Sequence, residues 1–487
     1  MTSNKTLRGL GLAAAIAVTA SLTAPVAFAA PGEAPQATTA KAKAEDFNGD
    51  GYRDVAVAAP GATVNGKKGA GYVAVLYGSK STALPPVRKV FHQDTTGIPD
   101  VAEVNDSYGS SLSAADLDGD GYTDLVVGAS GESVREGTSG ALSVIWGGRG
   151  GLSGSAVLKS GAANEYNFGA HLVTGDIQGD GAQDVVAAGY GTHLVHLSGP
   201  FKRDGSPASV AATATEEYFG IFDLAAGDLN RDGRTDVAAV RHYEIGADMH
   251  GTHLWAGGAQ GLLPGAPVKN GANRFLGNSL DIGDVNKDGY EDLVVGRGYE
   301  GMNVEPATLG GVITYIPGSA RGPVGGSARV IGQNTTGVPG TAEVSDGFGN
   351  GLSVGDIDGD GYADVSTGVP SETIGKVRNT GAVVTLRGGK SGLTGAGAKV
   401  FSQDTAGVPG TAENYDRFGF ATKLVDLNND KRAELVVSAL NEDAGAGAVW
   451  ILRATKSGIT AKGAVSFGAK TLGTTSTRAL LGAYFNN

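Results

Sequence analysis

The run Asp356-Ile357-Asp358-Gly359-Asp360-Gly361-Tyr362-Ala363-Asp364 sets carboxylates at loop positions 1, 3, 5 and 9. Alternate acids of this kind suit a hard cation: Ca²⁺ takes about six to eight oxygen ligands, and position 7 adds a backbone carbonyl. Gly361, at position 6, can take the sharp turn because it has no Cβ to clash. A helix-loop-helix calcium site needs a bidentate Glu at position 12 and flanking helices. Here Leu352-Ser353-Val354 and Val365-Ser366-Thr367 flank the loop, which predicts a β-hairpin.

The pattern occurs seven times, with starts 70, 60, 52, 56, 72 and 70 residues apart. The ligand sets it predicts are Asp46, Asn48, Asp50 and Asp54 with the Tyr52 carbonyl; Asp116, Asp118, Asp120 and Asp124 with Tyr122; and Asp176, Gln178, Asp180 and Asp184 with Ala182. They continue as Asp228, Asn230, Asp232 and Asp236 with Arg234, then Asp284, Asn286, Asp288 and Asp292 with Tyr290. The last two are Asp356, Asp358, Asp360 and Asp364 with Tyr362, and Asp426, Asn428, Asp430 and Glu434. Asp-Gly hairpin turns need no metal, but acids at positions 1, 5 and 9 in seven copies predict up to seven structural Ca²⁺ ions. The loops at 116 and 356, with four carboxylates each, are expected to bind most tightly; Lys431, in place of glycine, is expected to weaken or empty the last.

Other chemistries fare worse. Gly351-Leu352-Ser353-Val354-Gly355 fits the G-x-S-x-G nucleophile elbow, which requires a strand-to-helix turn. It lies instead on a strand entering a calcium loop, and sister repeats read Ser111-Leu112-Ser113-Ala114-Ala115 and His171-Leu172-Val173-Thr174-Gly175. Gly388-Gly389-Lys390-Ser391 lacks the first glycine of a phosphate loop, Val384 standing there. His193 and His196, like His250 and His253, are three apart, so on a strand they point to opposite faces and make no zinc pair. No catalytic residue is assigned, although carboxylate pairs able to hydrolyse glycosides stay open.

The elements that must hold these loops are strands. In the second repeat Tyr108–Leu112, Leu125–Ala129, Gly140–Gly147 and Ser155–Lys159 read as four short strands between turn residues, without helical periodicity. One such sheet cannot bury both faces, so repeats must stack. Four strands and seven units predict an all-β, seven-bladed propeller; a solenoid would need polar caps that neither end supplies.

Residues 1–29 read as a signal peptide: Lys5 and Arg8, an apolar run, and Ala27-Phe28-Ala29 as a cleavage site, predicting a secreted protein. Residues 30–45 read as a flexible leader and 46–487 as the propeller. The chain has no cysteine, so packing and metal must supply its stability. Its formal net charge of −12 argues against a nucleic-acid binder, which carries basic patches. Twenty-three of its 50 acidic residues are loop ligands.

Phe-Gly before the loops (Phe168-Gly169, Phe219-Gly220, Phe348-Gly349, Phe418-Gly419) and Gly-Ala-Pro-like turns after them (Ala58-Ala59-Pro60, Gly128-Ala129-Ser130, Gly368-Val369-Pro370) resemble FG-GAP repeats, as in the integrin α-subunit propeller. The resemblance implies Ca²⁺ in hairpin loops on one face and a recognition or adhesion module for an extracellular protein or glycan. It leaves as alternatives a lectin or an esterase- or phospholipase-like hydrolase. A monomer without a membrane span is expected. Departures are Tyr108 for Phe, Phe275-Leu276-Gly277 with an inserted residue, and Gln178 at position 3.

The ends carry two further expectations. The first repeat starts at its calcium loop without a Phe-Gly strand, and Ala479–Phe485, with Leu481 for Phe, is expected to supply it by pairing with residues 55–58. Insertions beginning Gln93-Asp94-Thr95, Gln333-Asn334-Thr335 and Gln403-Asp404-Thr405 precede the second, sixth and seventh repeats only, and are expected to form a binding arc opposite the loops.

Overall fold

The central strands of the first unit carry no charged or alternating polar position. Val55–Ala59 (VAVAA) and Tyr72–Leu76 (YVAVL) are buried throughout, as strands must be when both faces of their sheet are covered. In the computed structural model, which describes residues 44–81, 88–135, 138–161, 166–243, 250–300 and 308–486, neighbouring sheets provide that cover. Residues 1–29 and nearly all of 30–45, read as signal and leader, lie outside the described residues.

The architecture is a ring of seven four-stranded antiparallel blades. The second blade runs Tyr108–Ala115, Asp124–Arg135, Thr138–Ile145 and Ser155–Val157, hydrogen-bonded in chain order. The fifth, starting at Ser279–Gly283, the sixth at Asn350–Gly355 and the seventh at Phe418–Val425 repeat this order. The third and fourth blades merge into one six-stranded sheet. Asp184–Ser198 is a single strand run whose two ends meet, Gly199 N donating to Asp184 Oδ1 at 2.8 Å, so it folds back as the second and third strands of the third blade. Ser209–Gly227 likewise serves as the last strand of the third blade and the first of the fourth, with a register shift between Ala214 and Phe219.

Val55–Ala59, Tyr72–Leu76 and Arg88–Phe91 give the first blade only three strands. The chain's end completes it, as expected from the sequence. Val57 bridges Phe485, Gly482 N donates to Ala58 O at 2.9 Å, and Ala58 N donates to Tyr484 O at 2.9 Å. Asn486 adds a side-chain bond, Oδ1 accepting from Ala56 N at 2.8 Å across 430 residues. Leu481 stands in for the aromatic: a Cβ on Gly447 would lie 2.4 Å from Leu481 O, as one on Gly381 would lie 2.2 Å from Phe418 O. Its side chain is fully buried with Val55, Val57, Val436 and Val449.

The innermost strands surround a cavity of about 640 Å³ on the ring axis. Side chains at its wall join neighbouring blades at several junctions: Ser113 Oγ and Thr174 Oγ1 at 2.9 Å, Asp223 Oδ2 accepting from Leu280 N at 3.0 Å, Asp281 Oδ2 from Val354 N at 2.7 Å, and Ser353 Oγ from Leu424 N at 2.9 Å. Lys423 Nζ closes the series on Glu45 Oε1 at 2.6 Å, and Asn486 Nδ2 donates to the same oxygen at 3.0 Å. Glu45, assigned from the sequence to the leader, is therefore part of the ring, and it is buried.

Removing the Leu481 side chain empties a closed site, so Leu481→Ala should cost about 2–5 kcal/mol in urea unfolding. Truncation after Lys470 should lower the melting temperature far more than deletion of residues 31–43. Equal melting temperatures for the two deletions would rule out the shared blade.

Candidate metal centre

Six of the acidic loops join the first strand of a blade to its second, and the loop at 46–54 leads into Val55–Ala59, so all seven gather at one end of the ring. Their shape is dictated by short side chains that can satisfy backbone N–H groups two to five residues on. At position 1, Asp116 Oδ1 accepts from Asp120 N at 3.1 Å and Oδ2 from Gly121 N at 2.9 Å. At position 5, one oxygen accepts from the N–H of position 7 in every loop, from Tyr52 N onto Asp50 at 2.9 Å to Arg432 N onto Asp430 at 3.1 Å. Position 6 is left-handed throughout, with φ of 84° at Gly361 and 67° at Lys431. Lys431 keeps the bond to Asp426 Oδ2, at 2.9 Å, so the last loop holds its shape at the cost of a strained residue.

The acid at position 9 does more than its spacing suggests. Asp124 Oδ2 accepts from Leu117 N at 2.9 Å and Oδ1 from Gly147 N at 2.7 Å, stapling the loop to the turn between the third and fourth strands. Asp54, Asp184, Asp236, Asp292 and Asp364 make the same pair of bonds, to Gly78, Gly199, Gly257, Gly318 and Gly388 in their turns. All are buried, and Glu434 occupies the equivalent place, accepting from Leu427 N. Burial is the main cause that pushes Asp54, Asp236 and Glu434 up to about 8, Asp124 and Asp364 to about 7, and Asp292 to about 6. Acids at positions 1, 3 or 5 add to the rise.

Convergence of oxygens is what a cation requires. One oxygen each of Asp116, Asp118 and Asp124 lies within 4.8 Å of the others, and the same holds for Asp356, Asp358 and Asp360. These groups fit a hard divalent ion. The two four-carboxylate loops, expected to bind most tightly, also draw guanidinium groups that spacing did not reveal. Arg203 pairs with Asp118 and with Asp120, the latter at 2.6 Å; Arg387 pairs with Asp358 and, at 3.0 Å, with Asp364. These arginines would compete with an ion for the same carboxylates.

The other candidates separate. Ser353 Oγ is held by Leu424 N on a strand, which is no nucleophile elbow. His196 is buried 3.2 Å from Asp184 Oδ2 without hydrogen-bond geometry, and no histidine joins a cluster of potential metal ligands among the described residues.

Residues 42–76, 108–145, 276–315, 348–386 and 418–452 match the FG-GAP repeat, and 176–239 match an FG-GAP-like repeat. The chain is 31% identical over 206 residues to phosphatidylinositol-glycan-specific phospholipase D of Homo sapiens, a match covering 39% of this chain and 24% of that protein. It is 34% identical over 166 residues to integrin alpha-PS5 of Drosophila melanogaster, covering 32% and 15%. With integrin alpha-PS2 of the same organism it shares 28% over 239 residues, covering 44% and 16%. The matched region is thus a quarter or less of each relative's length.

Two measurements follow from the loop geometry. A carboxylate whose folded pKa is raised makes the folded state bind more protons than the unfolded one, so stability falls as pH rises through the folded value. The metal-free protein in chelator should accordingly be more stable near pH 5 than near pH 8 in urea unfolding, and the opposite slope would contradict the burial argument. Lys431→Gly, which relieves a left-handed residue, should raise stability by about 1 kcal/mol.

Proposed function

The chain belongs to the FG-GAP repeat family, and from that premise we propose that it is a secreted, calcium-stabilised propeller acting as a recognition or adhesion module. In this reading the signal peptide is cleaved after Ala29 and the monomer binds an extracellular protein or glycan. Ca²⁺ held by the seven loops would neutralise the acidic end and stiffen the ring. The protein's own residues do the rest: position-1 and position-5 acids preset the loop, and position-9 acids fasten it to the neighbouring turn.

One observation carries the recognition role. The three insertions lie against the hairpins between second and third strands, at the end away from the acidic loops: Asn105 N donates to Lys68 O at 2.9 Å and Tyr415 N to Arg378 O at 2.9 Å. On them apolar side chains face solvent, Val101 at 59%, Val104 at 58%, Val344 at 66% and Tyr415 at 51% exposure. Exposed apolar groups repeated on rigidly held loops are the mark of a docking face. The integrin relatives favour an adhesive partner. The likeness to phosphatidylinositol-glycan-specific phospholipase D favours a second reading, a hydrolase or a hydrolase's companion module.

Replacing 93–106, 333–346 and 403–416 by short connections should abolish binding to cell surfaces or to a glycan array. Retained binding would refute the arc as the docking face, and turnover of phosphodiester or ester substrates would move the reading to the hydrolase. Ca²⁺ should raise the melting temperature, each site adding about 2.7 kcal/mol at one hundred times its Kd. Asp360→Ala should lose one ion by native mass spectrometry, and a melting temperature indifferent to chelator would contradict the metal reading.

A further inference from the structure

The three insertions share more than their opening glutamine. In each, a Glu follows ten residues after the Gln and an Asp three residues later, giving Gln93, Glu103 and Asp106; Gln333, Glu343 and Asp346; and Gln403, Glu413 and Asp416. A second Glu, from the hairpin between the second and third strands of the next blade, reaches each group. Gln93 Nε2 donates to Glu132 Oε2 at 2.6 Å, Gln333 Nε2 to Glu372 Oε2 at 2.7 Å, and Gln403 Nε2 to Glu442 Oε2 at 2.7 Å, each across 39 residues. The Asp is fixed by the insertion itself, Asp106, Asp346 and Asp416 Oδ2 accepting from the backbone N–H of Glu103, Glu343 and Glu413 at 2.5, 2.6 and 2.6 Å. In the first group one oxygen each of Glu103, Asp106 and Glu132 lies within 4.8 Å of the others.

Acidic groups at a surface are common without an ion, and Glu103, Glu343 and Glu413 are themselves exposed, but the Gln and Asp beside them are buried. The glutamines that reach into them are 4%, 4% and 3% exposed, and the Asp residues 1%, 3% and 3%. In all three, Gln Oε1 is buried and accepts no hydrogen bond from the protein. Turning the amide over does not help, because the carbonyl would then face a carboxylate and the NH₂ would be left over. Every charged group acting on Glu132, Glu372 and Glu442 is acidic, and among the described residues none of the nine carboxylates takes part in an ion pair. A buried amide oxygen left without a donor beside clustered carboxylates costs free energy unless something positive sits among them.

We propose that Gln93-Glu103-Asp106-Glu132, Gln333-Glu343-Asp346-Glu372 and Gln403-Glu413-Asp416-Glu442 are three divalent-cation sites, separate from the nine-residue loops and at the opposite end of the ring. An all-oxygen set of carboxylates and an amide carbonyl selects a hard ion such as Ca²⁺. Each ion would tie an insertion of one blade junction to the hairpin of the following blade, and so hold the exposed Val104, Val344 and Tyr415 segments in place. The rival is a proton retained by one carboxylate, since burial and the neighbouring acids push Glu132, Glu372 and Glu442 up to about 7. Because the clusters share no residue with the nine-residue loops, failure of one assignment leaves the other standing.

The test counts Ca²⁺ ions on the full chain by native mass spectrometry. Glu132→Gln, Glu372→Gln and Glu442→Gln should each lose one ion and the triple variant three, while Asp360→Ala loses its own ion independently. An unchanged count in folded variants would overturn the proposal in favour of the proton, which glutamine imitates. Should a variant fail to fold, crystals of the unaltered chain soaked in Tb³⁺ decide: anomalous density between Asp106 and Glu132 and at the two equivalent places is expected, and its absence would overturn the sites.

Discussion

Neighbouring blades touch backbone to backbone through glycine, and the rest of the molecule depends on that contact. A Cβ on Gly128 would stand 2.0 Å from Gly169 O, and one on Gly368 would stand 1.7 Å from Gly419 O. Across the same junctions, Cβ atoms on Gly140 and Gly381 would lie 2.1 and 2.2 Å from Phe168 O and Phe418 O. The Phe168-Gly169, Phe348-Gly349 and Phe418-Gly419 segments are therefore each pressed into a slot that two glycines of the preceding blade leave open. This sets a common blade spacing, and with it the alignment of seven loops at one end and three insertions at the other.

The acidity at the loop end is contained by the backbone. Position-1 and position-5 carboxylates take N–H groups from their own loop, and position-9 carboxylates take one from the loop and one from the adjoining turn. Charge that would drive the loops apart is thereby turned into a set of fixed acceptors. Arg203 reaches from the turn of the third blade to the loop of the second, so part of the compensation crosses a blade junction.

The loops, the four-strand units and the shared blade were legible in the sequence because each depends on local pattern: alternate acids, short apolar runs, and a Leu481-Gly482 pair where Phe-Gly was missing. The merged third and fourth blades were not, although repeat starts only 52 and 56 residues apart hinted at lost connections. Arg203 and Arg387 escaped because their partners lie far off in sequence and isolated arginines carry no pattern. Gln93, Glu103 and Asp106 do repeat, but their fourth member, Glu132, joins only when two separate connections fold against each other. Position 9 was read as a ligand alone, since spacing cannot reveal that a third-to-fourth-strand turn supplies a second N–H.

The first and last described segments share one blade, and this orders events in time. During synthesis the edge of Val55–Ala59 stays open until Asn486 has been made, 430 residues after Ala56. At about 5–20 residues per second, that interval is roughly 20–90 seconds. Throughout it, six blades can assemble while the seventh junction lacks a partner, and an exposed strand edge invites pairing with any chain alongside. On a crowded ribosome the nearest candidate is the tail of an adjacent copy, whose Leu481-Gly482 segment fits the same slot. The shared blade is thus the one place in this ring where a neighbour's strand would compete with the chain's own.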